Sequence, residues 1–223
     1  MRKLREVFRD STDGVGKEVL EICCAPGKWL AFFHREFGFR PSGIEYSPAG
    51  VEATRRNLDL LQFEYGRFWT GDFFTIPPEP RFDLVYSLGF IEHFEDVDAV
   101  VARHFAWVKP GGHLILGVPN FRGVHGFFQN ILDPEVLARH NLRIMSPDAL
   151  QRLGEHAGAK VRLIERIGSI EPALPIRRSG IRSPGQILVK ALLRVLEPLR
   201  HAGWFEEILH PRLSCYLLGV FQR

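Results

Sequence analysis

A chain of 223 residues is long for one domain and short for two, and 45% apolar with 25% charged residues is ordinary globular composition, which excludes disorder as the main state. The net charge of +3 permits an anionic partner without requiring one, and it lacks the weight of a basic nucleic-acid-binding face, so nucleic acid ranks low as a partner. Cys23, Cys24 and Cys215 form neither a C-x-x-C zinc spacing nor a disulfide framework, so reduced thiols and a cytoplasmic location are the plain expectation. The opening MRKLREVFRD has no apolar run after its charges, and no stretch reaches the ~18 uninterrupted apolar residues of a membrane span. Neither a secretory signal nor a transmembrane segment is expected.

Residues 19–24 form a buried-strand run, and 27–37 read as a helix. A second strand covers 42–46 and a helix 48–61; 68–70 is a short third strand and 82–88 a strong fourth. A helix capped by Asp96 runs over 96–108, the Lys109-Pro110-Gly111-Gly112 stretch is a turn, and 113–118 is the fifth strand. Ser146 as N-cap with Pro147 behind it opens a helix that ends near Gly158. The last two strands fall at 161–167 and 213–221. Strands alternating with helices of about 10–15 residues predict βαβ units and a doubly wound α/β fold. In such folds ligands bind at the carboxyl ends of the strands where strand order reverses, so the site belongs in the loops after the first four strands. Two segments break the alternation: 119–145, rich in Phe, His and Asn, and 172–211, both expected to face a substrate or a partner.

The chemistry-bearing residues lie in those loops. Between the first strand and helix, Glu21-Ile22-Cys23-Cys24-Ala25-Pro26-Gly27 offers small residues for a tight turn and a helix N-terminus for an anionic or polar group. The G-x-G-x-x-G dinucleotide fingerprint is absent, which argues against a nicotinamide dehydrogenase. Glu45, eighteen residues beyond Gly27 at the end of the second strand, is placed to accept both hydroxyls of an adenosine ribose; a solvated strand-end carboxylate is the bland alternative. After the third strand, Asp72 is placed to accept from an adenine amine and Phe73 to lie against the ring, with a turn Asp beside a core aromatic as the alternative.

Four blocks in order carry a resemblance. They are VLEICCAPG at 19–27, GIEYS at 43–47, FDLVYS at 82–87 followed by IEHF at 91–94, and LIL at 114–116 behind KPGGH. Over about residues 17–170 and the final strand the chain resembles the class I S-adenosylmethionine-dependent methyltransferases. The resemblance implies one domain over 1–223 with a mostly parallel seven-stranded sheet, an antiparallel last strand, and S-adenosylmethionine as cofactor. It implies that Glu21 and the backbone of Cys23, Cys24, Ala25 and Gly27 hold the methionine end. Glu45 with Tyr46 takes the ribose, Asp72 and Phe73 bracket the adenine, and Ser87 and Leu88 line the methionine amine. Cys23 and Ala25 stand where the family's first motif has glycines.

The cofactor brings the activated methyl group, so the protein has to align a nucleophile, exclude water and, for a hydroxyl, remove a proton. His93, after the fourth strand, is the first candidate for that base; capping of the following helix is its alternative role. Glu92-His93 resembles the E-x-x-E-H segment of the ubiquinone-biosynthesis O-methyltransferases, in which both Glu and the His bind a divalent metal. Gly89 stands at the first Glu position, one ligand is missing, and no metal is assigned. His125, His140 and Asn141 are weaker candidates, and Phe121, Phe127 and Phe128 are expected to wall an acceptor pocket or to pack on the core.

The 172–211 segment concentrates Arg177, Arg178, Arg182, Lys190, Arg194 and Arg200 against the single acidic Glu197. A helix over 186–197 ends or kinks at Pro198, with Ile187, Leu188, Ala191, Leu192, Val195 and Leu196 forming a broad apolar arc. Packing on the body is its default, a lid or dimer contact comes next, and peripheral membrane contact last. The expected function is methyl transfer to a small-molecule acceptor at oxygen or nitrogen, by a monomer or homodimer. A methyltransferase-like binding protein without catalysis and a macromolecule (RNA or protein) methyltransferase are the alternatives.

Overall fold

The computed structural model describes residues 14–171, 174–175, 183–201 and 211–223, without the side chains of 199–201. The elements before the chain returns to its first strand are β1 (Glu18–Ile22), α1 (Lys28–Phe37), β2 (Arg40–Glu45), α2 (Pro48–Leu60) and β3 (Phe68–Thr70). Then come β4 (Phe82–Leu88), a 3₁₀ turn (Ile91–His93), α3 (Val97–Phe105) and β5 (Val108–Pro119). The remainder is α4 (Val124–Leu132), α5 (Pro134–Ala138), a 3₁₀ turn (Leu142–Ile144), α6 (Pro147–His156), β6 (Lys160–Ile167), α7 (Pro184–His201) and β7 (Tyr216–Gln222).

The seven strands form one sheet in the order β3-β2-β1-β4-β5-β7-β6. The pairs β1–β2, β1–β4, β2–β3 and β4–β5 are parallel, and β7 runs antiparallel to both its neighbours. This is the expected doubly wound, mostly parallel sheet with an antiparallel last strand. Its central strands are apolar at successive positions because helices cover both faces. Leu20, Ile22, Val85, Leu114 and Leu116 pack towards Val100, Val101 and Leu150 of α3 and α6. Val19, Leu84, Tyr86 and Ile115 pack on the other face with Leu30, Phe33, Val51 and Leu58 of α1 and α2.

Several boundaries differ from expectation for identifiable reasons. The Asp96 carboxylate caps α3 by accepting from Ala99 N–H, but the helix ends at Phe105, not 108, and Val108 opens β5. The Lys-Pro-Gly-Gly stretch is therefore no separate turn. It is an irregularity inside β5, where the register to β4 shifts between Phe82 and Leu84 and Gly111 takes φ +77°. The 119–145 connection is largely helical, and its α5 begins at an Asp133 cap followed by Pro134. Pro198 neither ends nor breaks α7, which continues to His201. Arg177, Arg178 and Arg182 lie outside the described residues, as does the Arg200 side chain.

The start of α7 is a capping box: Gln186 N–H donates to Ser183 Oγ and Ser183 N–H to Gln186 Oε1, each at 3.3 Å. The helix buries a narrow line, Gln186, Val189 and Leu193, against Leu132, Phe128 and Ile131 of α4. The expected broad arc is mostly uncovered, with Leu188 at 71% exposure and Ile187, Leu192 and Val195 exposed beside it. Contact with a single neighbouring helix covers only one i, i+3, i+7 line.

His104 of α3 is fully buried against β4. Its Nδ1–H donates to the Val100 carbonyl at 2.7 Å, and Nε2 accepts from the Ser87 hydroxyl at 3.0 Å. Both nitrogens are satisfied only in the neutral imidazole, and burial lowers its pKa from 6.5 to about 4. The unfolded chain takes up this proton as pH falls through 6.5 while the folded chain resists it, so stability is lost between pH 6.5 and 4. The shift corresponds to about 3 kcal/mol. In urea unfolding followed across that window, His104→Gln is expected to be less stable at pH 7 and to lose a correspondingly smaller increment on acidification. An unchanged pH slope would show that His104 does not carry it.

Candidate active site

The first crevice loop is fastened to the neighbouring strand. Cys23 N–H and Cys24 N–H both donate to the Ile44 carbonyl, at 2.9 and 3.3 Å. Cys23 has φ +60°, the left-handed region that a glycine enters without penalty and that costs a Cβ-bearing residue of order 1 kcal/mol. Ala25 does not have a positive φ, so the second departure from the glycine pattern carries no such strain. Gly27 caps α1 at φ +87°, and a Cβ there would stand 2.8 Å from Thr54 Cγ2. The Glu45 carboxylate spans two loops: Oε2 accepts from Ala25 N–H at 3.3 Å and Oε1 from Ser47 N–H at 3.0 Å. A carboxylate has further lone pairs, so this half-buried group still has acceptor capacity for a ligand hydroxyl.

Beside Glu45 lies a cavity of about 250 Å³ lined by Ile22, Cys23, Ile44, Tyr46, Gly71, Asp72, Phe73, Phe74, Phe90 and Phe94. It brings together four of the expected cofactor residues: Cys23, Tyr46, Asp72 and Phe73. The aromatic walls contributed by Phe74, Phe90 and Phe94 were not anticipated. Phe73 makes edge contacts with Phe74 and Phe90 at 5.3 and 5.8 Å between ring centroids. The loop is held from α3, where Arg103 donates to the carbonyls of Phe73 and Phe74. Asp72 Oδ1 accepts from Phe74 N–H at 2.9 Å and fixes the turn.

Glu21 is buried, and its Oε2 has no hydrogen-bond partner. Burial raises its pKa well above the usual carboxylate range, and the Glu45 charge adds to that. A ligand ammonium would satisfy this oxygen and restore the charged form, so the residue fits the amino end of S-adenosylmethionine. Partial burial, then the charges of Glu45 and Glu21, push the Cys23 thiol up to about 11; Cys24 is pushed higher still, chiefly by burial. Both sulfurs therefore stay protonated and act as wall atoms, not nucleophiles. The expectation for the Ser87 side chain is corrected: its strand parity turns it towards α3, where His104 engages the hydroxyl. Leu88 is half-buried and packs with the α1-side core.

Beyond β4, His93 is exposed on the 3₁₀ turn, and its ring lies 4.7 Å from that of His140 between centroids. Asp96 supplies the side-chain cap of α3. Glu92 is 1% exposed with Oε2 unpartnered, and burial raises its pKa to about 7. Asn141 joins the two loops, donating from its backbone to the Glu92 carbonyl at 2.6 Å and from Nδ2 to the Phe94 carbonyl at 3.1 Å. A cavity of about 690 Å³ lies here, lined by Glu92, His93, Phe94, Arg139, His140 and Arg143 among others. Phe94 lines both cavities. The other candidates lie elsewhere. His125 is buried and accepts from Glu171 N–H, Phe121 is buried below His140, Phe128 packs towards α7, and Phe127 is exposed.

The family model described as Methyltransferase domain matches residues 1–164. The chain belongs to this family. It is a class I S-adenosylmethionine-dependent methyltransferase family member, with the strand order to match. The ubiquinone biosynthesis O-methyltransferase of Alkalilimnicola ehrlichii is 31% identical over 123 residues, which is 55% of this chain and 49% of that protein. Phosphoethanolamine N-methyltransferase 1 of Arabidopsis thaliana is 29% identical over 105 residues, 45% of this chain and 21% of that protein. The chain spans about half the length, or less, of these curated relatives. A phosphoethanolamine N-methyltransferase 2 of Haemonchus contortus, solved in complex with S-adenosyl-L-methionine, shares the fold at a TM-score of 0.64 with 15% identity, over 100% of this chain and 52% of that one.

Within this methyltransferase fold Gly27 is the loop position least able to accept a side chain. Gly27→Ala combines a disfavoured φ with a collision at Thr54, and is expected to lower unfolding free energy by about 1–3 kcal/mol. Chemical denaturation at neutral pH measures it; a loss below a few tenths of a kcal/mol would mean that the loop relaxes freely.

Proposed function

We propose that the chain transfers a methyl group from S-adenosylmethionine to a small-molecule acceptor, at an oxygen or a nitrogen. The observation that carries this reading is the aromatic cavity beside Glu45, built from the loops after β1, β2, β3 and β4 at the point where strand order reverses. Bound there, S-adenosylmethionine supplies an electrophilic methyl group on its sulfonium. Glu45 accepts from the ribose hydroxyls, Asp72 from the adenine amine, and Glu21 from the methionine ammonium. Phe73, Phe74, Phe90 and Phe94 close around the base and keep water out. His93, on the acceptor side of Phe94, takes the proton from a hydroxyl acceptor as the new bond forms.

The reading extends to the surroundings. The cysteines, none of them in a disulfide, suit a cytoplasmic enzyme, and among the described residues no helix is long and apolar enough to cross a membrane. The segments over 119–145 and 172–211 act as additions to one catalytic domain, the first supplying the acceptor cavity. Monomer and homodimer both fit.

Isothermal titration with S-adenosylhomocysteine tests the cofactor half. Micromolar binding is expected for the wild type, and Glu45→Ala should weaken it roughly ten- to hundredfold, the value of hydrogen bonds to a charged group. A melting curve checks that the loss is not unfolding, because Glu45 also bridges two backbone amides. Absence of wild-type binding at millimolar ligand would sink the reading.

A further inference from the structure

Glu92, His93 and His140 each place one donor atom within 4.8 Å of the others. They come from two separate segments, the turn after β4 and the stretch after α5, which Asn141 clamps together through two hydrogen bonds. Two of the three donors are prepared by their surroundings. The Glu92 side chain is buried, and its Oε2 has no hydrogen-bond partner. His140 Nδ1 lies 2.8 Å from the Val136 carbonyl, which can only accept. Nδ1 therefore carries the proton, and Nε2 presents its lone pair. A backbone carbonyl fixing the far nitrogen is the arrangement that orients metal-binding imidazoles.

The third donor comes from the segment after α5 and not from position 89 on the turn itself. Gly89 has φ +76°, and a Cβ built there would stand 3.2 Å from the Tyr216 hydroxyl. A side chain at this position would be strained by that φ and would crowd the Tyr216 hydroxyl, and His140 brings an imidazole to the cluster from the other segment. One carboxylate and two imidazoles favour borderline divalent ions over Mg²⁺, which prefers oxygen donors.

We infer that Glu92, His93 and His140 form a binding site for a borderline divalent cation of the Zn²⁺ or Co²⁺ class. Donors about 2.0–2.2 Å from such an ion stand about 3.4 Å apart, so the set closes by a small swing of the exposed His93 ring. Three protein ligands leave coordination positions for water or an oxygen of a ligand in the adjoining cavity. Only the last step, an acceptor hydroxyl as that oxygen, rests on the methyl-transfer reading, and there a bound ion would take over from His93 the task of acidifying the hydroxyl.

The test uses the full chain, stripped with a chelator and titrated with Co²⁺ alone, followed by visible absorption and by calorimetry; Mg²⁺ is titrated in parallel. One equivalent of Co²⁺ with imidazole-ligated d–d bands is expected, and His140→Ala and His93→Ala should each weaken binding at least tenfold. S-Adenosylhomocysteine affinity, measured on the same samples, should be unchanged in His140→Ala. That second readout separates a failed metal site from a failed cofactor site or a failed fold. Co²⁺ affinity indifferent to His140→Ala, no saturable Co²⁺ binding at millimolar concentration, or a preference for Mg²⁺ would each overturn the assignment.

Discussion

The pairing of β1 with parallel strands on both of its edges is the constraint from which the rest of the site follows. β2 lies on one side and β4 on the other, in matching direction. The chain leaves β1 through α1 and moves outward to β2 and β3, then returns across β1 to begin the other half at β4. Two crossovers diverging from one strand leave its carboxyl end uncovered by either. The residues that line the crevice lie at or just beyond this edge: 22–27 from the end of β1, 44–46 from the end of β2, 71–74 after β3, and 89–94 after β4. The crevice thus needs no dedicated subdomain. It needs only suitable side chains at four strand ends that the sheet has already brought together.

The two missing glycines of the first loop are unequal in consequence. Ala25 has an ordinary φ and donates its N–H to Glu45, a bond any residue but proline can make. Cys23 does occupy a glycine-like conformation, and its strain is opposed by two amides bonded to one carbonyl on β2. A backbone fastened on that side cannot relax to a negative φ without releasing Ile44. The loop therefore keeps the path of a glycine-rich turn while adding a protonated, weakly polar sulfur to the cavity wall. Burial beside two carboxylates keeps that thiol out of redox or nucleophilic chemistry.

Much of this was legible in the sequence, for reasons that can be traced. Phe68–Thr70 and Phe82–Leu88 were readable to the residue because apolar runs stop sharply at polar or glycine neighbours. Asp96 and Ser146 marked helix starts through local capping, which depends on three or four residues only. The places of Glu45 at the end of β2 and of Asp72 and Phe73 just beyond β3 followed from the apolar runs before them. The failures share a different cause. The Lys-Pro-Gly-Gly stretch has turn chemistry, yet pairing on either side of it absorbs it into β5 as an irregularity. Ser87 was misassigned although its parity with the inward-facing Val85 was there to be counted. Arg103, Phe90, Phe94 and Asn141 act through partners far away in the chain or on another loop, and no local pattern announces such contacts.

The two cavities differ in origin, and the difference bears on how this fold acquires an acceptor. The cofactor side uses strand ends that the sheet supplies. The second cavity draws Arg139, His140, Asn141 and Arg143 from the segment after β5, where α4 and α5 lie. That segment is supported from behind: α7 packs Val189 and Leu193 on α4, and Gln186 Nε2 donates to the Leu132 carbonyl at the end of that helix. It is fastened in front by Asn141, whose bonds reach backbone carbonyls and so do not depend on the neighbouring side chains. Residues 139, 140 and 143 can therefore change character while the loop keeps its place against Glu92 and Phe94. Asn141 clamps the segment to the turn after β4, and Phe94 is the wall that the two cavities share.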